Sequence, residues 1–311
     1  NWHNQTQREL AHFASDHAHV LMPEYRKAAP KKLSHWIDVI PSVTEKAAVT
    51  ARPGHPRSDG RFSVLYTGRL SFEKDLNILI SAFSKLAEEF ENWDLEIMGD
   101  GPERNSLAAQ ANRLGLSSRV NFRGNLANIQ SVFEAYTHSH LFVLPSRAEG
   151  CPLSLREAMA HGLPVIGFAS CSGTNEIIVE DRNGLLAGST DKAGELATAM
   201  SRLMRDGALR CRLGEAGVKD VEKYAPDIIH GQWEELLVKV SKWKGNRSEL
   251  RKLKRGVSSS DFDQLEQLLR SCVDQGVTRD VATYSGQVRE GLASSILMGD
   301  YLLLFGAYLF D

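Results

Sequence analysis

Cysteine is scarce and scattered: Cys151, Cys171, Cys211 and Cys272 are four residues with no C-x-x-C pair among them. That spacing suggests neither a disulfide framework nor a thiolate zinc site, and a reducing cytosol suits it. Charge of one sign is also missing. Lys and Arg number 37 against 39 Asp and Glu, a formal net charge of −2, so the chain carries no global nucleic-acid footprint. The first residues are polar and lack the apolar region of a secretory signal, and residue 1 is Asn, so the chain is expected to begin partway through a longer protein. No internal repeat is evident. What is present is a 42% hydrophobic content over 311 residues, enough for a sizeable core in one large or two modest globular domains.

The most informative stretch is LFVLPSRAEGCPLSLREAMAHGLPVIGF, residues 141 to 168. Leu141 to Leu144 reads as a strand buried on both faces, followed by a loop and a helix from about Leu153 to His161. Gly162 sits where a left-handed helix cap is expected, Pro164 bars continuation, and Val165 to Phe168 reads as the next strand. This βαβ unit carries Glu149 in its loop and Glu157 in its helix. Eight helical residues would rise roughly 12 Å, wider than the 5–9.5 Å or so between the paired carboxylates of a glycoside hydrolase. The spacing suits the two ends of one extended ligand, such as a diphosphate-linked sugar, with Gly150 and the helix N-terminal amides meeting its charge. Either Glu alone reads more simply as a solvated surface residue.

The whole string shifts that balance. Pro145, Ser146, Glu149, Gly150, Pro152, Glu157, Ala158, Met159, Ala160, Gly162, Pro164 and Val165 resemble the E-x₇-E signature of the retaining GT-B glycosyltransferases of family 4. In that family the first Glu contacts the donor sugar and the second the ribose hydroxyls, and the resemblance gives those roles to Glu149 and Glu157. Cys151 stands where an aromatic or aliphatic residue is common.

Residues 61 to 225 alternate strand and helix in the manner of a doubly wound parallel sheet, a Rossmann-like α/β fold. Strands are expected at Ser63–Thr67, Trp93–Met98, Val120–Phe122 and Gly184–Leu186, and a helix carries Leu76 through Phe90. Gly68, Gly99, Gly101, Gly124 and Glu149 all follow predicted strands, the edge where such sheets bind ligands.

GRLSFEKD, with Arg69 and Lys74, resembles the family's G-R-x₄-K segment, whose cations neutralise the donor diphosphate. Where the family usually continues with Gly, Asp75 adds a negative charge beside Lys74. MGDGPER lacks the third glycine of a dinucleotide fingerprint, having Arg104 there. It resembles the family's G-x-GP turn, which with Arg123-Gly124-Asn125 holds the nucleobase. SCSGTNEII (Ser170 to Ile178) reads as a loop entering a helix and resembles the family's G-x-x-E-I turn. Gly173, Thr174 and Asn175 facing the donor and a plain helix cap by Ser172 or Thr174 both fit it.

The expected organisation is 1–58, the remnant of an acceptor-side domain with linker RPGHPRSDG (Arg52 to Gly60); 59–225, the donor-binding domain; 226–245, a crossover helix; and 246–311, a basic linker with an unassigned, mostly helical region. His17 and His19, without a third ligand, read as surface residues, as do His138 and His140. The cations from Lys239 to Arg255 read as a solvated linker, or more sharply as a peripheral contact with an anionic inner membrane face. Leu292 to Phe310 is long enough to span a membrane and equally fits a core helix.

The resemblance implies retaining hexosyl transfer, without metal or cofactor, from a nucleotide-diphosphate sugar (a UDP-sugar favoured) to a glycan or lipid-linked acceptor in the cytoplasm. Arg69, Lys74 and Glu149 would act at the reacting atoms. Gly68, Gly101, Gly124, Gly150, Cys151, Pro152, Leu153 and Glu157 would bind donor. Because most of the acceptor domain is missing, a non-catalytic nucleotide-sugar-binding or partner subunit is the alternative. A dinucleotide oxidoreductase is a third reading, opposed by Arg104.

Overall fold

The computed structural model describes residues 18–28, 37–126 and 128–244. His17, the basic run past Lys244 and the apolar stretch Leu292–Phe310 lie outside the described residues. The described residues fall into two compact units, 41–230 and a smaller one with residues 18–28, 37–40 and 231–244. In the smaller unit, β1 (Ala18–Val20) and β2 (Ile37–Val39) pair in parallel, with α1 (Pro23–Ala28) between them in sequence. There the Lys239 ammonium lies 2.8 Å from the Asp38 carboxylate.

The strands of the larger unit are β3 (Phe62–Thr67), β4 (Trp93–Met98), β5 (Val120–Gly124), β6 (Leu141–Leu144), β7 (Val165–Phe168) and β8 (Gly184–Ala187). They form one parallel sheet of order β5-β4-β3-β6-β7-β8. Counted from β3, this is the doubly wound order 3-2-1-4-5-6, with its switch point between the first and fourth strands. The helices are α2 (Leu76–Ser84), α3 (Arg104–Arg113), α4 (Ile129–Thr137), α5 (Leu153–Ala160), α6 (Lys192–Arg205), α7 (Gly207–Val221) and α8 (Pro226–Lys244), the last running on into the smaller unit. Helix α2 packs against α3 and α6, and α5 against α7. With a helix layer on each face, β6 and β7 are buried along their whole length, which is why both are continuous apolar runs. Gly162 closes α5 at φ 77°, and Asp191, Asp206 and Asn128 each accept a backbone N–H at a helix start.

Three local expectations differ from what forms. The helix expected to run to Phe90 stops at Ser84, although Leu86 and Phe90 remain buried. Arg119 takes the carbonyls of Ala87 (3.3 Å), Phe90 (2.7 Å) and Trp93 (2.7 Å), so this stretch turns toward a distant side chain. Ser170–Ile178 forms turns and no helix: Gly173 adopts φ 82°, and Thr174 is buried beneath Gly167. The Pro- and Gly-rich stretch from Arg52 to Gly60, expected as a linker, is an integral part of the larger unit. Arg210 donates to the Pro53 carbonyl at 2.6 Å, and Arg57 lies 3.2 Å from Asp94.

His140, expected at the surface, is bonded to that stretch. Its Nδ1 accepts the Ser63 N–H at 3.0 Å, so Nε2 carries the proton and donates to the His55 carbonyl at 2.9 Å. Protonating Nδ1 would oppose the Ser63 N–H. Burial is the main cause that lowers this imidazole from 6.5 to about 4. The unfolded chain therefore takes up a proton below pH 6.5 that the folded chain refuses until about pH 4, and stability falls across that window. The expected loss from this group is about 3 kcal/mol at the acid end. Urea unfolding between pH 7 and 4 should show a steeper decline in the wild type than in His140→Gln, and parallel slopes would remove His140 from the account.

Candidate functional site

The site is built at the C-terminal edge of the sheet, where the chain leaving β3, β4 and β5 is laced together by backbone. After β3, the Gly68 N–H donates to the Met98 carbonyl (3.0 Å) and the Leu70 N–H to that of Asp100 (2.9 Å). The Gly99 N–H reaches across to the Gly124 carbonyl at 2.8 Å. Gly101 packs so closely on this lacing that a Cβ would come within 2.4 Å of the Leu70 oxygen. The structure thus brings Gly68, Arg69, Gly101 and Gly124 to one edge, and for Gly101 loop-to-loop packing already requires glycine. Arg69 is exposed at the top, its carbonyl held by the Tyr66 hydroxyl at 2.9 Å. Among the described residues no ion pair engages its guanidinium.

Across the switch point the loop after β6 brings in Glu149. Lys74, on a 3₁₀ turn (Phe72–Lys74), places its ammonium 2.8 Å from the Glu149 carboxylate, with side-chain exposures of 23% and 9%. The two loops also bond through backbone, Arg147 N–H to Glu73 carbonyl at 2.9 Å. Behind Glu149, its own N–H donates to the Ser172 carbonyl at 3.3 Å, and a Cβ on Gly173 would meet the Glu149 oxygen at 2.6 Å. Gly150 and Cys151 are half-buried, Pro152 is the buried N-cap of α5, and Leu153 is exposed on its first turn. Thr174 turns inward, its hydroxyl on the Cys171 sulfur at 3.3 Å, and Asn175 donates to the Ala169 carbonyl at 2.8 Å.

Asp75 does not act as an added negative charge facing Lys74. Its carboxylate is 1% exposed and lies 2.7 Å from Arg147 and 2.9 Å from Lys192 of α6, so two cations already compensate it. The backbone there is left-handed, φ 54° and ψ 33°, which explains why glycine suits the position and why Asp, tolerant of that region, can replace it. Arg147 in turn lies over the Phe72 ring at 4.1 Å. Nothing in the local spacing pointed to Arg147 or Lys192.

Glu157 is half-buried on α5, and its carboxylate accepts the Tyr136 hydroxyl at 2.9 Å. That hydroxyl also meets Thr67 Oγ1 at 2.7 Å and the Ser154 carbonyl at 3.3 Å. Burial first, and the Glu157 charge second, push the Tyr136 phenol well above its ordinary value of 10.0, so it stays a donor. The arrangement offers two cations, two carboxylates at separate places and a helix N-terminus, a set suited to a ligand with a negative centre and hydroxyl-bearing ends.

The family model described as Glycosyl transferases group 1 matches residues 50–220. An exopolysaccharide phosphotransferase of Streptomyces coelicolor is 35% identical over 179 residues, 57% of this chain and 19% of that protein. The amylovoran biosynthesis glycosyltransferase AmsD of Erwinia amylovora is 29% identical over 175 residues, 56% of this chain and 47% of that protein. The chain therefore spans less than half the length of either relative. The pneumococcal O-GlcNAc transferase GtfA, solved in complex with UDP and GlcNAc, superposes with a TM-score of 0.63 at 20% identity, covering 72% of this chain and 45% of that one. At that identity the likeness establishes the fold alone, a parallel-sheet Rossmann-like α/β arrangement that matches part of GT-B glycosyltransferase structures.

The charge of Asp75 and its left-handed backbone are separable by substitution. Asp75→Gly should destabilise the chain by about 1–3 kcal/mol through loss of the charged hydrogen bonds. Asp75→Ala should cost about 1 kcal/mol more, because Ala is strained at a positive φ. Equal urea midpoints for the two variants would show that the left-handed backbone is not what restricts this position.

Proposed function

Because the chain belongs to the glycosyl transferases group 1 family, we propose that it transfers a sugar from a nucleotide-diphosphate donor, a UDP-sugar, to a glycan or lipid-linked acceptor, with retention of the anomeric configuration as in family 4. Residues 59–225 are the donor-binding part in this reading, 226–245 the crossover helix, and 1–58 the remnant of the acceptor side. The reaction runs in the cytoplasm. The observation that carries the proposal is the meeting of Lys74 and Glu149 at 2.8 Å across the switch point, beside the exposed Arg69.

Lys74 is paired with Glu149 in this structure. An incoming diphosphate carries more than one negative charge and forms charge-assisted hydrogen bonds of its own, so it competes for that ammonium. Glu149 is then released to the sugar hydroxyls, and Glu157 receives the ribose. As the bond between the anomeric carbon and the diphosphate breaks, its electron pair goes to the phosphate oxygen; the acceptor hydroxyl oxygen bonds to the anomeric carbon in its place and gives its proton to the departing diphosphate. Arg69, Lys74 and the α5 amides stabilise the charge gathering on the leaving group, the kind of preorganised electrostatics that lowers such barriers most. Support for the base comes from structural neighbours whose ligand is UDP.

Calorimetric titration with UDP, GDP, ADP and NAD tests this reading. One nucleoside diphosphate should bind, UDP by preference, and Glu157→Ala should abolish the heat. Arg69→Ala should weaken UDP by roughly 10- to 100-fold, the range for a lost hydrogen bond to a charged group, and leave uridine nearly unchanged. Equal losses for UDP and uridine would remove the phosphate role from Arg69, and binding of NAD alone would overturn the proposed donor.

A further inference from the structure

Tyr136 belongs to no motif and sits on α4, which carries no other group proposed for the site. Its side chain is nonetheless fully buried directly beneath the edge. Three oxygens surround its hydroxyl: Thr67 Oγ1 at 2.7 Å, Glu157 Oε2 at 2.9 Å and the Ser154 carbonyl at 3.3 Å. A phenol has one proton to give. The charged carboxylate, closer than the Ser154 carbonyl, is the stronger acceptor, so the proton goes to Glu157. Thr67 must then be the donor of its own short contact. The result is a directed chain, Thr67 to Tyr136 to Glu157, in which each bond polarises the next.

Thr67 is the last residue of β3, immediately before Gly68 and Arg69. One buried hydroxyl thus joins the strand that presents the phosphate-side arginine to the helix that presents Glu157. The ring cannot readily swing away: His161 stacks on it at 5.0 Å and Phe142 lies at 6.1 Å. We propose that Tyr136 is a positioning residue for nucleotide recognition: it holds one oxygen of Glu157 so that the other is presented to the ribose hydroxyls, in fixed register with the phosphate loop through Thr67. This rests on the reading that Glu157 takes the ribose.

Tyr136→Phe keeps the ring and deletes the hydroxyl. Titrated with UDP, it should lose roughly tenfold in affinity, the size expected for one hydrogen bond to a charged group. With 2′,3′-dideoxy-UDP, which has no hydroxyls for Glu157, wild type and variant should bind alike. Removing the orphaned Thr67 hydroxyl as well, in Thr67→Val with Tyr136→Phe, should not restore UDP affinity. Equal losses for both nucleotides would indicate a general packing role and overturn the inference. So would recovery in the double variant. Unchanged UDP binding in Tyr136→Phe alongside a loss in Glu157→Gln would overturn the inference and leave the donor reading standing. If Glu157→Gln itself changes nothing, the donor reading fails and the inference with it.

Discussion

The arrangement of this site depends on the parallel pairing of β3 with β6, Val64 against Leu141 and Leu65 against Phe142. These strands are far apart in the chain and adjacent in the sheet. From β3 the chain winds outward to β5, and from β6 it winds outward the other way to β8. At such a switch point the loops leaving the two strands diverge and open a crevice. Arg69 and Lys74 come from one side of that crevice and Glu149 from the other. Without the reversal of winding, the lysine and the carboxylate would have no common place to meet.

Loops alone would leave these groups loosely held, and here they are held by backbone and by one buried charge. Peptide groups after β3, β4 and β5 bond to one another outside any regular ladder. Gly101 and Gly173 permit contacts that a single Cβ would forbid. Asp75 works differently. Its carboxylate is anchored by Arg147 from the loop of Glu149 and by Lys192 from α6, so the turn bearing Lys74 is tied to both. Burying a carboxylate is costly unless it is paired, and two cations supply the pairing. The exposed arginine and the paired lysine therefore sit on a frame that is rigid for reasons unrelated to the ligand.

Much of the frame was legible in the chain. Leu141–Leu144 and Val165–Phe168 are apolar without interruption because helices cover both faces of the sheet there, and such runs read as buried strands. The Gly162–Pro164 punctuation ended α5 where expected. The helix after Lys74 was overextended because Leu86 and Phe90 keep helical spacing while Arg119, distant in sequence, draws the intervening carbonyls out of register with an α-helix. SCSGTNEII carries helix-cap residues, but Gly173 is pressed against the Glu149 backbone and Thr174 against β7, so turns form in place of a helix.

The sequence by itself determined the strand order, most of the helices, and the edge on which the glycines, Arg69 and Glu149 would emerge. These follow from short-range periodicity and from residues that act through their own backbone geometry. Only the tertiary structure decided that Lys74 meets Glu149, that Asp75 is paired with Arg147 and Lys192, and that the Tyr136 hydroxyl donates to Glu157. Each of these joins side chains from segments remote in sequence, at distances of 2.7 to 2.9 Å. Local spacing carries no information about such meetings, because they are set by which strand lies beside which.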